Sequence, residues 1–228
     1  MTQLILSVLL QHLIDADTHL FLSINSMHNS FWDVFMPLYS AKFVWSFFYL
    51  SILYVIARNY SLKTTLIWLL AAIVVIAVCD QVTAHLIRPM VARLRPSNLD
   101  NPISDAVHIV NGYRGGSFSF PSAHAANSSG LAFFVVLLFR RKCLSVAIIL
   151  WAMLTCYSRL YLGVHYFGDL LVGVIIGCLG ASLVYYLLVR IAKIKKPDHL
   201  RDVSVPLITL GMTVFVFLAI SVVRTYIL

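Results

Sequence analysis

Charge is scarce in this sequence. Only 11% of its 228 residues are Asp, Glu, Lys or Arg, 61% are hydrophobic, and the mean hydropathy is +0.90. A soluble domain has no use for that much apolar surface, so the composition excludes a water-soluble module and implies a polytopic membrane protein. Cysteine is sparse too. Cys79, Cys156 and Cys178 lie inside apolar segments and Cys143 beside a basic loop. None has a metal-ligand spacing, so they read as small hydrophobes and say little about redox compartment. Internal repeats and low-complexity stretches are absent. A cleavable signal is not expected either, because the opening apolar run from Leu4 to Leu10 is short and no basic residue precedes it.

What is present is a series of apolar runs. Stretches of about 20 residues, the length a bilayer requires, fall at 40–57, 64–87, 122–139, 144–162, 168–189 and 205–226. An all-α membrane protein of about six transmembrane helices in one bundle is therefore expected, with a six-span domain over 40–228. Residues 1–39 read as short interfacial helices, since Leu4–Ile14 is interrupted by Gln11 and His12 and a second piece opens at Asp15-Ala-Asp17.

The net charge of +8 is distributed as a topology signal, not as a nucleic-acid patch. The connections after spans one, three and five hold Arg58 and Lys63; Arg140, Arg141 and Lys142; and Arg190, Lys193, Lys195, Lys196 and Arg201. By parity all three share one side, which is cytoplasmic by the positive-inside rule, and both termini are expected outside. Trp32, Tyr39, Trp45, Tyr161 and Tyr166 near the outer ends suit an aromatic belt. One long polar connection, 89–120, lies outside. A loop of that length in a compact protein is usually functional, here as a lid or a headgroup contact.

Three motifs meet at the outer ends of the spans. Arg88 and Arg95-Pro96 close the second span. Taken alone, such arginines are as easily stop signals or lipid contacts. Pro121-Ser122-Ala123-His124 opens the third, with ordinary helix-start chemistry that also aims free N–H groups at an anion. Ser158-Arg159 and His165 to Asp169 join the fourth and fifth spans. His165 and Asp169 are four apart, so on a helix the carboxylate can fix the imidazole tautomer and leave the other nitrogen as a base or nucleophile. A lone His–Asp pair is often structural. Arg88, Arg95, Ser122, His124, Arg159, His165 and Asp169 all falling at one depth on one face is not a coincidence of that kind.

Arg-X6-Arg-Pro, Pro-Ser-Ala-His and Ser-Arg-X5-His-X3-Asp resemble the three-part signature of the type-2 phosphatidic acid phosphatase superfamily. There is a finer likeness to lipid phosphatases of Gram-negative envelopes, lipid A phosphatases included. The family usually has Lys in place of Arg88 and Gly in place of Ala123. Arginine keeps the charge, and alanine is tolerable where the backbone is helical. The resemblance implies that His165 attacks phosphorus with Asp169 holding its tautomer. His124 then serves the leaving group and the water, and Arg88, Arg95, Arg159, Ser122 and Ala123 hold the phosphate. Three arginines can stabilise phosphoryl transfer without a metal or other cofactor. Arg114, in the outer loop, is expected at the headgroup. Asp80, about two turns before Arg88, is as easily structural as an arginine partner.

The expected substrate is a lipid phosphate, best a lipid A bearing phosphate, with undecaprenyl pyrophosphate the alternative. No protein partner is implied. The expected location is a bacterial inner membrane, with the site facing the periplasm. A non-catalytic lipid-phosphate transporter would not need the spaced His–Asp pair and second histidine. Haem ligation by His124 and His165 would leave the arginines idle.

Overall fold

The computed structural model describes residues 2–192, 194 and 199–228, so Lys193, Lys195 and Lys196 of the last basic connection lie outside the described residues. Among those described, only an isolated bridge between Leu94 and Phe118 has β geometry. The rest of the regular structure is helical: α1 (Thr2–Asn25), α2 (Ser30–Ser40), α3 (Ser46–Asn59), α4 (Leu62–Asp80), a π-helical stretch (Gln81–Ile87) running into α5 (Arg88–Val91), α6 (Ala123–Phe139), α7 (Lys142–Tyr161), α8 (Phe167–Ala192) and α9 (Val205–Tyr226). Ile5–Asn25, Leu62–Val91, Lys142–Tyr161, Phe167–Ile191 and Val205–Tyr226 are each long and apolar enough to cross a membrane. Ser30–Ser40 with Phe43–Asn59 makes a sixth candidate, bent by 71°. Large apolar side chains stand exposed at helical spacing on the outer faces, Leu66, Leu70 and Ile73 on α4 and Leu171, Ile175 and Leu179 on α8. Surfaces like these are stable only against lipid. This is a membrane protein.

Three details differ from the sequence reading. Residues Thr2–Asn25 form one continuous helix, not two pieces, because Gln11 and Asp15 do not interrupt it: four apart, they hydrogen-bond each other along its surface at 2.9 Å. The contacts of α1 lie at the end of α7 and the start of α8. Asn25 donates to the Tyr161 carbonyl at 2.9 Å and Asp17 accepts from the Gly168 amide at 2.9 Å. Next, α2, expected among the interfacial helices, buries Phe35, Met36 and Tyr39 and packs on α7 and α9. Last, Tyr39, Trp45, Tyr161 and Tyr166 do not form a belt; all are buried, and Tyr39 and Trp45 stack edge-on. The bend between α2 and α3 turns the Tyr39 and Trp45 rings inward.

The third expected span, α6, is the most enclosed. Ten of the 17 residues of α6 are buried, and it packs along α8 through small residues. A methyl group on Gly173 would come closer than 3.0 Å to the Ser122 carbonyl, and one on Gly177 closer than 3.0 Å to the Ala126 carbonyl. Close backbone approach of this type stands in for the hydrophobic drive that lipid removes. It fixes the start of α6 beside the start of α8.

The outer connection is ordered. Around the bridge, the Arg95 amide donates to Ser117 and the Ser119 amide to Arg93, and Ser97, Val107, Val110 and Ser119 are buried. Asn25, itself buried, grips its middle: it accepts from the His108 amide at 2.7 Å and donates to the His108 carbonyl at 3.3 Å.

Candidate functional site

Local sequence dictates where each side chain of the site arrives. The π-helical stretch adds a residue to the helical turn, so that the Arg88 amide bonds the Thr83 carbonyl. Such insertions re-aim side chains and are frequent at functional sites. Arg88 then donates to the Pro121 carbonyl at 2.9 Å, tying the end of the second span to the start of α6. Ser122 caps α6, its side chain accepting from Ala125 and its own amide donating to the Asp169 carbonyl at 3.0 Å. Ala123 opens the helix without positive φ, so the extra methyl is accommodated. The amides of Ala123 and His124 are in the first turn and have no intrahelical acceptor. Between α7 and α8 the chain turns through Gly163 at φ +71. A side chain there would collide with Val107 of the outer loop, and the turn delivers His165 into the protein interior.

His165 is 1% exposed and Asp169 fully buried. Arg95 reaches to 3.1 Å from His165 Nε2 and donates to the Val164 carbonyl at 2.9 Å. A guanidinium can only donate, so Nε2 carries the lone pair and Nδ1 the proton. That Nδ1 lies 3.4 Å from Asp169 Oδ2, too long and poorly aligned for a full hydrogen bond in this resting arrangement. Burial, reinforced by Arg95, Arg159 and Arg88, holds the His165 imidazole well below its ordinary pKa, which keeps it neutral and nucleophilic. Burial also lowers Arg95, to about 10, with Arg159 and Arg88 adding to the effect. It remains charged at neutral pH.

Arg159 is 3% exposed, donates to the Ser40 hydroxyl, and reaches Tyr113 of the outer loop at 3.4 Å. Each of Arg88, Arg95 and Arg159 also has a buried Nε–H with no partner among the described residues. Three unspent charged donors around an uncharged histidine are costly unless an anion completes them. A phosphate has the oxygens to do so. His124, at the top of α6, lines a cavity of about 670 Å³ together with Ser40, Lys42 and Asp80. Its walls are apolar, and along α4 it runs from Asp80 to Trp68, about 18 Å at 1.5 Å per residue. Asp80 therefore sits at the cavity wall near its polar end.

Arg114 is not among the arginines that surround His165. Its Nη1 donates to the Ser97 carbonyl at 2.7 Å, while its own carbonyl accepts from the Ser97 hydroxyl. Sequence reasoning missed Arg93 and Asp17. Arg93 bridges Asp17 at 2.7 Å and Asp169 at 3.1 Å, and lies over the Tyr166 ring at 3.6 Å. Arg93 lies inside the first motif, but nothing in the spacing distinguishes it from a stop-signal arginine. Its partners come from two distant parts of the chain, Asp17 on α1 and Tyr166–Asp169 at the start of α8. Arg93→Met should lower kcat about a hundredfold with little change in KM, by letting Asp169 and His165 drift by about 1 Å, and Arg93→Lys should restore part of it. Turnover of Arg93→Met at the wild-type rate would remove Arg93 from this role.

The model of the PAP2 superfamily matches residues 65–193, more than half of the chain and all three motifs. The protein belongs to the PAP2 superfamily. Among curated relatives, it is 49% identical over 179 residues to the lipid A 4'-phosphatase of Bacteroides thetaiotaomicron, covering 78% of this chain and 80% of the relative. It is 32% identical over 176 residues to the lipid A 4'-phosphatase of Porphyromonas gingivalis, covering 77% and 74%. Two solved structures share the fold. A PAP2-type phosphatidylglycerolphosphate phosphatase from Bacillus subtilis aligns with a TM-score of 0.60 at 22% identity, over 81% of this chain and 90% of that one. LpxE from Aquifex aeolicus aligns with 0.52 at 23% identity, over 74% and 94%. For this PAP2 protein the two conspicuous additions to a phosphate site are the apolar cavity beneath His124 and the ordered loop above it.

Proposed function

We propose that this PAP2 protein is a lipid A 4'-phosphatase of the bacterial inner membrane, acting at the periplasmic face. The observation that carries the reading is the junction at His124, where three arginines with unspent donors meet an apolar cavity deep enough for an acyl chain. The names of the two curated relatives support the choice of lipid. The basic residues at the opposite end of the bundle support the orientation.

The chemistry runs in two displacements. The phosphate's non-bridging oxygens take the free donors of Arg88, Arg95 and Arg159 and the first amides of α6, drawing Arg95 off His165. His165 Nε2 attacks phosphorus, an N–P bond forms, and the bond to the sugar oxygen breaks. His124 gives its proton to that oxygen. Asp169 accepts from Nδ1–H and stabilises the cationic phosphohistidine. His124, now a base, takes a proton from water; the hydroxyl attacks phosphorus, the N–P bond breaks, and phosphate leaves with His165 restored. Positioning and fixed positive charge supply the catalysis, as phosphoryl transfer requires. The loop that carries Tyr113 and Arg114 covers the headgroup. Arg114 keeps Ser97 in place with one nitrogen and faces the sugar with the others.

Phosphate release by purified protein from bis-phosphorylated lipid A, undecaprenyl pyrophosphate and phosphatidic acid tests the assignment. Lipid A should be the preferred substrate, with mass spectrometry finding the 4' position dephosphorylated. Rapid hydrolysis of undecaprenyl pyrophosphate with lipid A untouched would transfer the assignment to the pyrophosphatase alternative.

A further inference from the structure

Away from the arginines, on the same end of the bundle, the fold gathers three potential metal ligands that the phosphatase chemistry does not use. His28 lies in the turn between α1 and α2, Asp33 in the first turn of α2, and His108 in the outer loop. Their ligating atoms all lie within 4.8 Å of one another. We propose that His28, Asp33 and His108 form a binding site for a divalent transition-metal ion, Zn²⁺ fitting best, that clamps the outer loop to the α1–α2 turn.

The residues around the cluster are those of a prepared site. His108 is set by the two backbone hydrogen bonds of Asn25, which is 1% exposed and also donates to the carbonyl of Tyr161. Asp33 Oδ1 receives the Tyr161 hydroxyl at 2.7 Å and pairs with His108 Nε2 at 2.8 Å. Two of the three ligands are thus oriented by groups behind them, the arrangement that tunes metal sites. His28 is exposed, and its ring lies parallel to that of His108 with centroids 3.7 Å apart. Imidazole nitrogen and carboxylate oxygen together suit zinc, cobalt or nickel and are a poor match for calcium or magnesium.

The geometry needs one adjustment. A tetrahedral zinc with bonds of 2.0–2.1 Å sets its ligand atoms about 3.4 Å apart. The present spread of up to 4.8 Å closes if the exposed His28 ring splays out of the stack so that both imidazole lone pairs converge. The proton that His108 shares with Asp33 leaves as the metal enters. Three protein ligands leave the fourth position to water. The ion joins residues 28 and 33 to residue 108, which are distant in sequence, and so adds a cross-link beside the hydrogen bonds of Asn25.

The test uses full-length protein in detergent, carrying no histidine tag, stripped with a chelator and then titrated with Zn²⁺. One Zn²⁺ per chain should be retained through gel filtration, with a Tm that rises and saturates as the ion is added. Mg²⁺ should do neither. His28→Ala and His108→Ala should each abolish the stoichiometric zinc and the Tm response. His28→Ala changes only an exposed side chain, so its fold can be verified by normal phosphate release. Absence of stoichiometric zinc in the wild type, or zinc retained by both variants, would overturn the proposal.

Discussion

His165→Ala is expected to release no phosphate above the background of an empty membrane preparation. In the proposed mechanism the substitution removes the atom that attacks phosphorus: Nε2 bears the lone pair, is buried, and is addressed by Arg95 at 3.1 Å. Water cannot simply take its place, because in the first step His124 is the proton donor to the leaving oxygen and no base remains to activate the water. His124→Ala should behave differently. Loss of general acid and base costs about 10² to 10⁴ in rate, and the variant retains His165, so rapid quenching should trap phosphate on the protein. That phosphate should be stable in base and lost in acid, as a phosphorus–nitrogen bond is. Retention of near-normal turnover by His165→Ala would sink the covalent mechanism, and failure to label His124→Ala would separate the two histidines' roles.

Much of this site is written locally. The helical spacing of His165 and Asp169, the Pro-Ser that starts α6, and the arginines at the end of the second span are each readable in a few residues. Alternation of apolar runs then brings them to one end of the bundle. What was not legible depends on contacts between residues far apart in the chain. Arg93 matters through Asp17 and Asp169, 76 positions away on either side. The inward turn of Tyr39 and Trp45 follows from a bend at residues 41–42 that no helix-breaking residue announces. The continuity of α1 was hidden for another reason. Polar residues in an apolar run look like interruptions until their spacing of four lets them bond each other. Arg114 shows a further demand that the sequence does not reveal: part of its guanidinium is spent holding the loop itself.

Gly177→Ala, a single methyl buried far below the arginines, is expected to cost about a hundredfold in kcat. Gly177 is eight residues beyond Asp169 on α8, about 12 Å along the helix. A methyl there would meet the Ser129 hydroxyl, the Ala126 carbonyl and the Gly130 amide, all closer than 3.0 Å. Two of these are backbone of α6 and cannot rotate away. The helices must therefore part or slide. Overpacking of this sort costs about 1–3 kcal/mol in stability, but the larger consequence is register. His124 and the first amides of α6, assigned to the phosphate in the proposed mechanism, ride on α6, while Asp169, with His165 just before it, moves with α8. A relative shift of about 1 Å between them is enough for the expected loss of rate. Two controls isolate the cause. Gly180→Ala meets the Cys79 sulfur at an ordinary 3.5 Å, and Gly211→Ala meets nothing within 4 Å. Both should keep wild-type turnover and, by helix propensity, gain up to about 1 kcal/mol where exposed. Equal Tm and kcat for Gly177→Ala and Gly180→Ala would mean that the close seam between α6 and α8 does not hold the two halves of the site in register.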